Sequence, residues 1–289
     1  TVVFTIGDGT VYQAYQDEKP IFSSGRPFDT WRRPTTEDLE TAHGLPTSSH
    51  ANVWVADVPT DQTVRTMFDT EGRLPRAIGD GFSPTNAVDP SPEGYKTLNF
   101  PQDALQRYAN LAGAELRIVP SHFWVMNLLP IESIDYETMT LKTTVAGTYS
   151  LAKNGMTDRD NCWIENVLEV LDEPGEWVFD DTANRVWLWP RTEEPGKDVV
   201  APTLTELIRV EGKIDYDGPV DEPVRGIHFY GLAFAHGDRL PWHGRTGWGL
   251  QHDWEMFDSP TALVRFRGAE DCSVSSCLLY DSGHSAVRL

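Results

Sequence analysis

The chain has 289 residues, of which 39% are hydrophobic and 11% aromatic, which is enough apolar material for a large core and excludes general disorder. Its formal charge of −20 argues against nucleic acid and anionic membranes as partners, because both bind basic surfaces. No apolar run reaches the roughly 18 residues of a membrane-spanning helix, and Thr1 to Phe4 is too short for a signal peptide.

The first forty residues predict short strands and one capped helical turn. Apolar, β-branched runs indicate strands near residues 1–6, 11–15 and 19–24. Thr35 to Ala42 has the polar start and acidic first turn of a short capped helix. From His43 onwards Pro, Ser and Thr become frequent, so we place a domain boundary there.

The middle of the chain is predicted to be mostly β. Alternating patterns indicate strands at residues 52–58, 63–68, 115–119 and 139–143. A short helix is expected over Pro101 to Asn110. A second helix is expected because four apolar residues follow the spacing i, i+3, i+4 and i+7: Ile164, Val167, Leu168 and Leu171.

A hairpin is predicted from Trp177 to Trp189, with its turn at residues 181–184. Trp187 and Trp189 then share one strand face. The pair has two interpretations, stacking on a sugar ring or packing in the core, and we favour the core. The acidic turn that follows lacks the glutamate of a calcium loop, so we interpret it as a solvated linker.

Three cysteines are too few for a disulfide framework and are not spaced as zinc ligands. We expect Cys272 and Cys277 to be buried apolar side chains. The sequence predicts no metal site and no cofactor. It also contains no GxSxG, HExxH or P-loop motif, so esterase, zinc protease and nucleotide hydrolase activities have no support.

The last segment contains a near repeat. Asp258 to Phe266 (DSPTALVRF) and Asp281 to Leu289 (DSGHSAVRL) lie 23 residues apart, and alternating apolar residues precede each. Short strands at such a period are typical of a parallel β-helix, in which each coil buries its apolar face against the next. Two ordinary sandwich strands are the alternative.

Several motifs together resemble one family. They are ENVLEVLDEPGEW from Glu165, VWLWPR from Val186, PVRGIHFYGLAFAH from Pro223 and GAEDCSVSSCLLYDSG from Gly268, with YQAYQDEKPIFSSGR from Tyr12 near the start. This combination resembles right-handed parallel β-helix proteins that include glycoside hydrolases of the xylosidase and fucosidase types. Some of these carry a β-sandwich domain inserted between early coils.

The resemblance implies an all-β fold, a partial right-handed parallel β-helix interrupted by an inserted β-sandwich-like domain. We expect the first coils at 1–43, the inserted domain at 44–222 and the resumed helix at 223–289. It also implies that the chain is a fragment, with catalytic carboxylates in later coils, so that no catalytic residue is assigned here. The implied function is glycoside hydrolysis of a plant or algal polysaccharide or its oligosaccharides, outside the cell or in the periplasm.

Carbohydrate is the expected partner, and the loop from Ala235 to Pro260 is the candidate binding segment, because loops on rigid scaffolds often carry binding residues. The predicted substrate-binding residues are His236, Asp238, Trp242, His252, Asp281 and His284. Packing of the loop aromatics onto the scaffold is the alternative. The sequence does not predict an oligomeric state.

Two further expectations concern charged pairs. Asp258 and Asp281 would lie near the roughly 5 Å separation of a retaining carboxylate pair, but each precedes Ser at a turn, where we expect it to bond its own backbone. Arg265 and Arg288 could stack to bind a uronate in a polysaccharide lyase, or be two solvated arginines. A non-catalytic carbohydrate-binding or adhesive β-helix is the remaining alternative.

Overall fold

The computed structural model describes residues 1–5, 8–122, 124–155, 159–218, 220–240, 248–249 and 260–289. Within these ranges the protein is all-β, with parallel and antiparallel sheets and little helix.

The strands follow one another along the whole chain. In chain order they are β1 (Val2–Phe4), β2 (Asp8–Gln13), β3 (Ile21–Ser23), β4 (Gly25–Pro27), β5 (Trp54–Asp57), β6 (Met67–Asp69), β7 (Gly72–Leu74), β8 (Thr97–Asn99), β9 (Glu115–Ile118), β10 (Asn127–Asp135), β11 (Thr140–Thr143), β12 (Cys162–Glu165), β13 (Trp177–Asp180), β14 (Arg185–Leu188), β15 (Val200–Pro202), β16 (Ile208–Glu211), β17 (Val224–Tyr230), β18 (Ala233–Gly237), β19 (Trp248–Gly249), β20 (Ala262–Arg267), β21 (Ala269–Glu270), β22 (Ser273–Ser275), β23 (Leu278–Ser282) and β24 (Ser285–Arg288).

Helical segments are short. Helix α1 spans Thr36–Thr41, and single 3₁₀ turns cover Thr47–Ser49, Glu93–Tyr95 and Leu168–Val170. The predicted capped helix is confirmed: the Thr35 side chain accepts from the Asp38 backbone, and the Asp38 side chain accepts from the Thr35 backbone. This reciprocal capping box stabilises a helix that is otherwise too short to persist.

Three sheets are built from parallel pairs. Sheet A has the order β1-β16-β20-β24, sheet B joins β2, β17, β21 and β22, and sheet C has the order β3-β18-β23. The chain passes through sheets A, B and C in this order three times, and β24 returns it to sheet A.

The predicted near repeat corresponds to neighbouring strands. Ala262 pairs with Ser285 and Val264 with Val287, each 23 residues apart, in the parallel pair β20–β24. Sandwich strands pair antiparallel, so the alternative interpretation of these two strands is wrong. Asp258, in the first copy of the repeat, lies outside the described residues.

The space between the parallel sheets is filled by apolar side chains. Ile227, Phe229, Leu232 and Phe234, which alternate along the predicted strand pattern, are all at most 4% exposed. They pack with residues of β16 and β20 into one core. The expectation that Cys272 and Cys277 are buried was wrong: both are partly exposed and pack at the margin of this core, in the connections just before β22 and β23.

The other sheets are antiparallel, and most of their buried side chains form two further cores, one on each face of the sheet β13-β14-β5. These sheets are β4-β15-β6-β7, β13-β14-β5 and β12-β9-β10-β11-β8, the last with β19 beside β10. Trp187 is 2% exposed and belongs to the core that also contains residues of β8 to β12, with Trp189 packed against it, so the core interpretation of the tryptophan pair is confirmed.

The predictions of two helices, at Ile164–Leu171 and at Pro101–Asn110, were wrong. Cys162–Glu165 instead forms β12 against β9, and Asn166 then takes a left-handed conformation (φ 62°) before a 3₁₀ turn. The predicted Pro101–Asn110 helix is an irregular segment. Its backbone is bound by Tyr136, whose hydroxyl donates to the Gln106 carbonyl at 2.8 Å and accepts from the Tyr108 N–H at 3.3 Å.

The proposed domain limits at 43/44 and 222/223 stay predictions. Strand pairings show where the chain passes between the parallel and the antiparallel sheets. β16 lies in sheet A with β1 and β20, and β15 pairs with β4 in an antiparallel sheet. The chain therefore crosses between parallel and antiparallel sheets immediately after β3 and immediately before β16.

Candidate functional site

Two side chains of the predicted site meet on sheet C. Ala235 pairs with Tyr280 and Gly237 with Ser282, which places His236 and Asp281 at equivalent positions of the neighbouring strands β18 and β23. Both adopt left-handed backbone conformations, with φ of 59° and 52°. Such conformations are uncommon outside glycine and are often found where function constrains the backbone. His236 Nε2 lies 3.7 Å from Asp281 Oδ2.

Ser23, on the third strand of sheet C, extends this contact into a row. Its hydroxyl is hydrogen-bonded to His236 Nδ1 at 2.7 Å and accepts from the Gly25 N–H at 3.0 Å. Ser24 binds the backbone of the same histidine, since its hydroxyl donates to the His236 carbonyl at 2.6 Å. A neutral imidazole protonated on Nε2 would therefore face Asp281 with its N–H and accept from Ser23 on Nδ1.

Aromatic rings enclose the His236 imidazole. Phe68 of β6 lies 5.6 Å away and Tyr280 of β23 lies 6.0 Å away, ring centre to ring centre. Burial lowers the pKa of His236, and the nearby Asp281 opposes this effect. The neutral form of the ring is thus favoured. Phe68, from an antiparallel sheet, and Tyr280, from sheet C, form the apolar surroundings of the ring.

Asp281 is partly buried, with a side chain 18% exposed. Burial raises the pKa of its carboxyl, His236 acts in the opposite direction, and the charge of Asp69 raises the pKa further. The expectation that Asp281 bonds its own turn was wrong. Ser282 makes those bonds instead, donating to the Ser285 carbonyl at 2.8 Å and accepting from the His284 N–H at 3.3 Å.

Asp238 lies two residues beyond His236 and is 6% exposed. Its Oδ1 accepts from the Thr66 hydroxyl at 2.8 Å and from the Arg239 N–H at 2.9 Å, and Oδ2 lies 3.6 Å from Arg65 Nη1. Burial raises the pKa of Asp238, while these partners lower it. The residue lines a cavity of about 480 Å³ whose walls include Arg26, Phe28 and Gln62. That volume is within the range of small-molecule sites.

Among the described residues, His284 is a predicted site residue that makes its contacts outside this row. His284 Nδ1 lies 3.1 Å from the Ser285 hydroxyl, and burial together with the charge of Arg288 lowers its pKa. Trp242 and His252 lie outside the described residues.

Sequence reasoning missed the partners that come from elsewhere in the chain. Ser23, Phe68 and Asp69 all act on His236 or Asp281, yet Ser23 is 213 residues from His236. No local pattern marks such partners. The sequence predicted a strand at residues 63–68, but not what it contacts.

The arginine pair considered for a lyase is engaged in the fold. Arg265 and Arg288 pair on neighbouring strands, as their 23-residue spacing suggested. Arg265 is 5% exposed and lies 3.5 Å from Glu206, and Arg288 donates to the Thr261 hydroxyl. The interpretation of two solvated arginines was therefore wrong for Arg265, and its burial disfavours uronate binding there.

In the parts of the chain that the structure describes, no group of three or more His, Cys, Asp or Glu is placed to hold a metal ion. No helix in those parts is long and apolar enough to cross a membrane.

No protein-family model matches this chain, and no curated protein matches it. One solved structure, described as "Glycoside hydrolase", matches with a TM-score of 0.68 and 20% sequence identity. The match covers 95% of this chain and 50% of that one, so this chain spans about half the length of that structure. Over nearly its whole length, the chain shares the all-β fold of a glycoside hydrolase.

Proposed function

We propose that this chain carries the carbohydrate-binding site of a glycoside hydrolase-like protein, built as a right-handed parallel β-helix with an inserted β-rich domain. The repeated passage through sheets A, B and C and the 23-residue spacing of β20 and β24 support this architecture. The shared fold with a glycoside hydrolase supports the class of protein.

The observation that carries the proposal is the row Ser23–His236–Asp281 beside the rings of Phe68 and Tyr280. A sugar needs hydrogen-bonding groups for its hydroxyls and an apolar surface for its ring face. The row offers a hydroxyl that is hydrogen-bonded to an imidazole, and a carboxylate 3.7 Å from the other imidazole nitrogen. Two aromatic rings adjoin this row.

Asp281 is assigned to binding rather than to bond cleavage. Glycoside hydrolysis uses a pair of carboxyl groups that flank the scissile bond. Asp281 faces the imidazole of His236, and the nearby carboxyl of Asp69 is ion-paired with Arg191. The proposed whole-protein activity is hydrolysis of a plant or algal polysaccharide or its oligosaccharides, by a secreted protein, with its catalytic pair outside this row.

Calorimetric titration of the 289-residue chain with neutral oligosaccharides of xylose, glucose, galactose and fucose tests the binding site. We expect at least one to bind, and Asp281→Asn to weaken that binding at least fivefold. Asp271→Asn is the matched control, because Asp271 is also left-handed (φ 52°) but exposed on another strand connection. Asparagine tolerates this conformation, so both variants should fold.

Binding that is equally strong in the wild type and Asp281→Asn would contradict the assigned site. Absence of binding to every oligosaccharide would contradict the proposed function. Glycan binding without turnover by the full-length protein would identify it as a non-catalytic carbohydrate-binding protein instead.

A further inference from the structure

The β6–β7 hairpin brings the antiparallel part of the protein to the His236–Asp281 site. Asp69 and Gly72 pair across the end of this hairpin. A Cβ placed on Gly72, whose φ is 103°, would lie 3.5 Å from Asp281 Oδ1. Phe68, the residue before Asp69, contacts the His236 ring. The hairpin therefore touches both residues of the site.

Asp69 is held in place as a charged group. Its Oδ1 accepts from Arg191 Nη1 at 2.6 Å and from the Glu71 N–H at 2.9 Å, and its side chain is 11% exposed. Arg191 also donates from Nη2 to the Arg73 carbonyl at 3.1 Å, so its guanidinium fastens the two strands of the hairpin. The negative charge of Asp69 acts on Asp281 across the short gap between hairpin and sheet C.

The electrostatic character of the site follows from these groups. Two carboxyl groups border it, and the chain as a whole carries a formal charge of −20. Among the described residues, Arg191 is the cation beside Asp69. Its guanidinium already donates to Asp69 and to the Arg73 carbonyl within the hairpin. An anionic group placed here would be repelled, whereas the hydroxyls of an uncharged sugar can donate to the carboxylates.

We propose that the β6–β7 hairpin forms one wall of the carbohydrate site and that Asp69 is a specificity-determining residue, which makes the site select uncharged sugars and reject uronates and sulfated sugars. This inference rests on the proposed function, because it concerns the same site. Rejection by a fixed like charge is a common way in which proteins discriminate between similar ligands.

The test compares binding of neutral xylose and glucose tetrasaccharides with binding of tetragalacturonate. We expect the wild type to bind a neutral tetrasaccharide at least tenfold more tightly than the uronate. In Asp69→Asn, which keeps the size and the turn acceptor but removes the charge, this ratio should fall at least threefold, mainly because uronate binding improves. Asp135→Asn is the matched control, since Asp135 also ends a strand and accepts from the N–H two residues later, at 2.8 Å.

If Asp69→Asn does not fold, the ratio of neutral-sugar to uronate affinity is measured in the wild type between 50 mM and 500 mM salt. Salt screens a like-charge repulsion, so this ratio should fall as the salt concentration rises. If the affinity ratio does not change in the variant or with salt, the inference about Asp69 is overturned. Binding of a neutral sugar in the same experiment would still uphold the proposed function. A wild type that prefers the uronate would also overturn the inference about Asp69. A protein that binds neither sugar would contradict the proposed function itself.

Discussion

Arg239 donates from Nη2 to both carboxylate oxygens of Glu115, at 2.6 and 2.8 Å, inside the protein. Arg239 follows β18 of sheet C, and Glu115 begins β9 of an antiparallel sheet. Arg76 Nη1 donates to the same carboxylate at 2.6 Å. Glu115 and Arg239 are 4% and 2% exposed, so the parallel and antiparallel parts are joined by a buried ion pair next to Asp238.

Glu115→Gln should destabilise the protein by about 3 to 5 kcal/mol, because removing one partner leaves buried guanidinium groups without their carboxylate. Urea unfolding of the variant and wild type measures this difference. Glu132→Gln is the control: Glu132 lies on the adjacent strand β10 but is exposed, so we expect a change below about 0.5 kcal/mol. A loss below about 1 kcal/mol in Glu115→Gln would contradict the structural role assigned to the pair.

Gly25→Ala should disrupt the Ser23–His236 contact. A Cβ at this position would lie 2.9 Å from a Val200 methyl and 3.0 Å from the His236 ring, so the ring or the strand must move. We expect weaker oligosaccharide binding and an altered His236 imidazole resonance by NMR. Gly155→Ala is the control, since none of the described residues has an atom within 4 Å of a Cβ placed there. Unaltered binding in Gly25→Ala would show that the position of His236 is not needed.

Glu176 should make stability depend on pH. Burial raises its pKa to about 7, although its carboxylate accepts from the backbone N–H groups of Asp172 and Glu173. The unfolded value is about 4.3, so the folded state binds more protons between these pH values. Glu176 therefore contributes stability that is fully present below about pH 4 and lost as the pH rises through 7.

The variant Glu176→Gln resembles the protonated side chain and should remove this contribution. Relative to the wild type, we expect it to gain about 1 to 3 kcal/mol between pH 5 and pH 8. Urea unfolding of both proteins across this range measures the difference. A constant difference between the two proteins at all pH values would contradict the raised pKa.

The sequence predicted the parts of the fold that local chemistry specifies. Ile227 and Phe229 alternate because a strand with one buried face requires it, and the 23-residue repeat follows from stacking of equivalent strands. Thr35 caps α1 through atoms three residues away, so this signal is also local.

Other features depend on contacts that no local pattern contains. Ile164 and Val167 have helical spacing and are both buried in one core, but the left-handed backbone of Asn166 lies between them. Burial in a shared core therefore gives the same sequence pattern as one face of a helix. Ser23 and Asp69 reach the site from strands far away in sequence, through pairings that only the fold creates. The site could therefore be predicted only in part, from His236 and Asp281.

Asp281→Asn in the full-length protein should raise KM more than it lowers kcat, because the carboxylate is assigned to binding. Loss of a catalytic carboxylate would instead lower kcat by orders of magnitude. Steady-state kinetics on an oligosaccharide that the protein hydrolyses separates these outcomes. A collapse of kcat with little change in KM would place Asp281 in the chemistry.

The proposed carbohydrate site at His236 and Asp281 can be observed directly. Its most direct test is NMR of the imidazole nitrogens of the ¹⁵N-labelled chain, which has eight histidines, during titration with a neutral oligosaccharide. We predict that the His236 resonances shift with saturation, while those of His228, which lies in sheet B with Nδ1 2.9 Å from the Ser273 hydroxyl, stay unchanged. Saturable oligosaccharide binding that leaves the His236 resonances unmoved would contradict the proposed site.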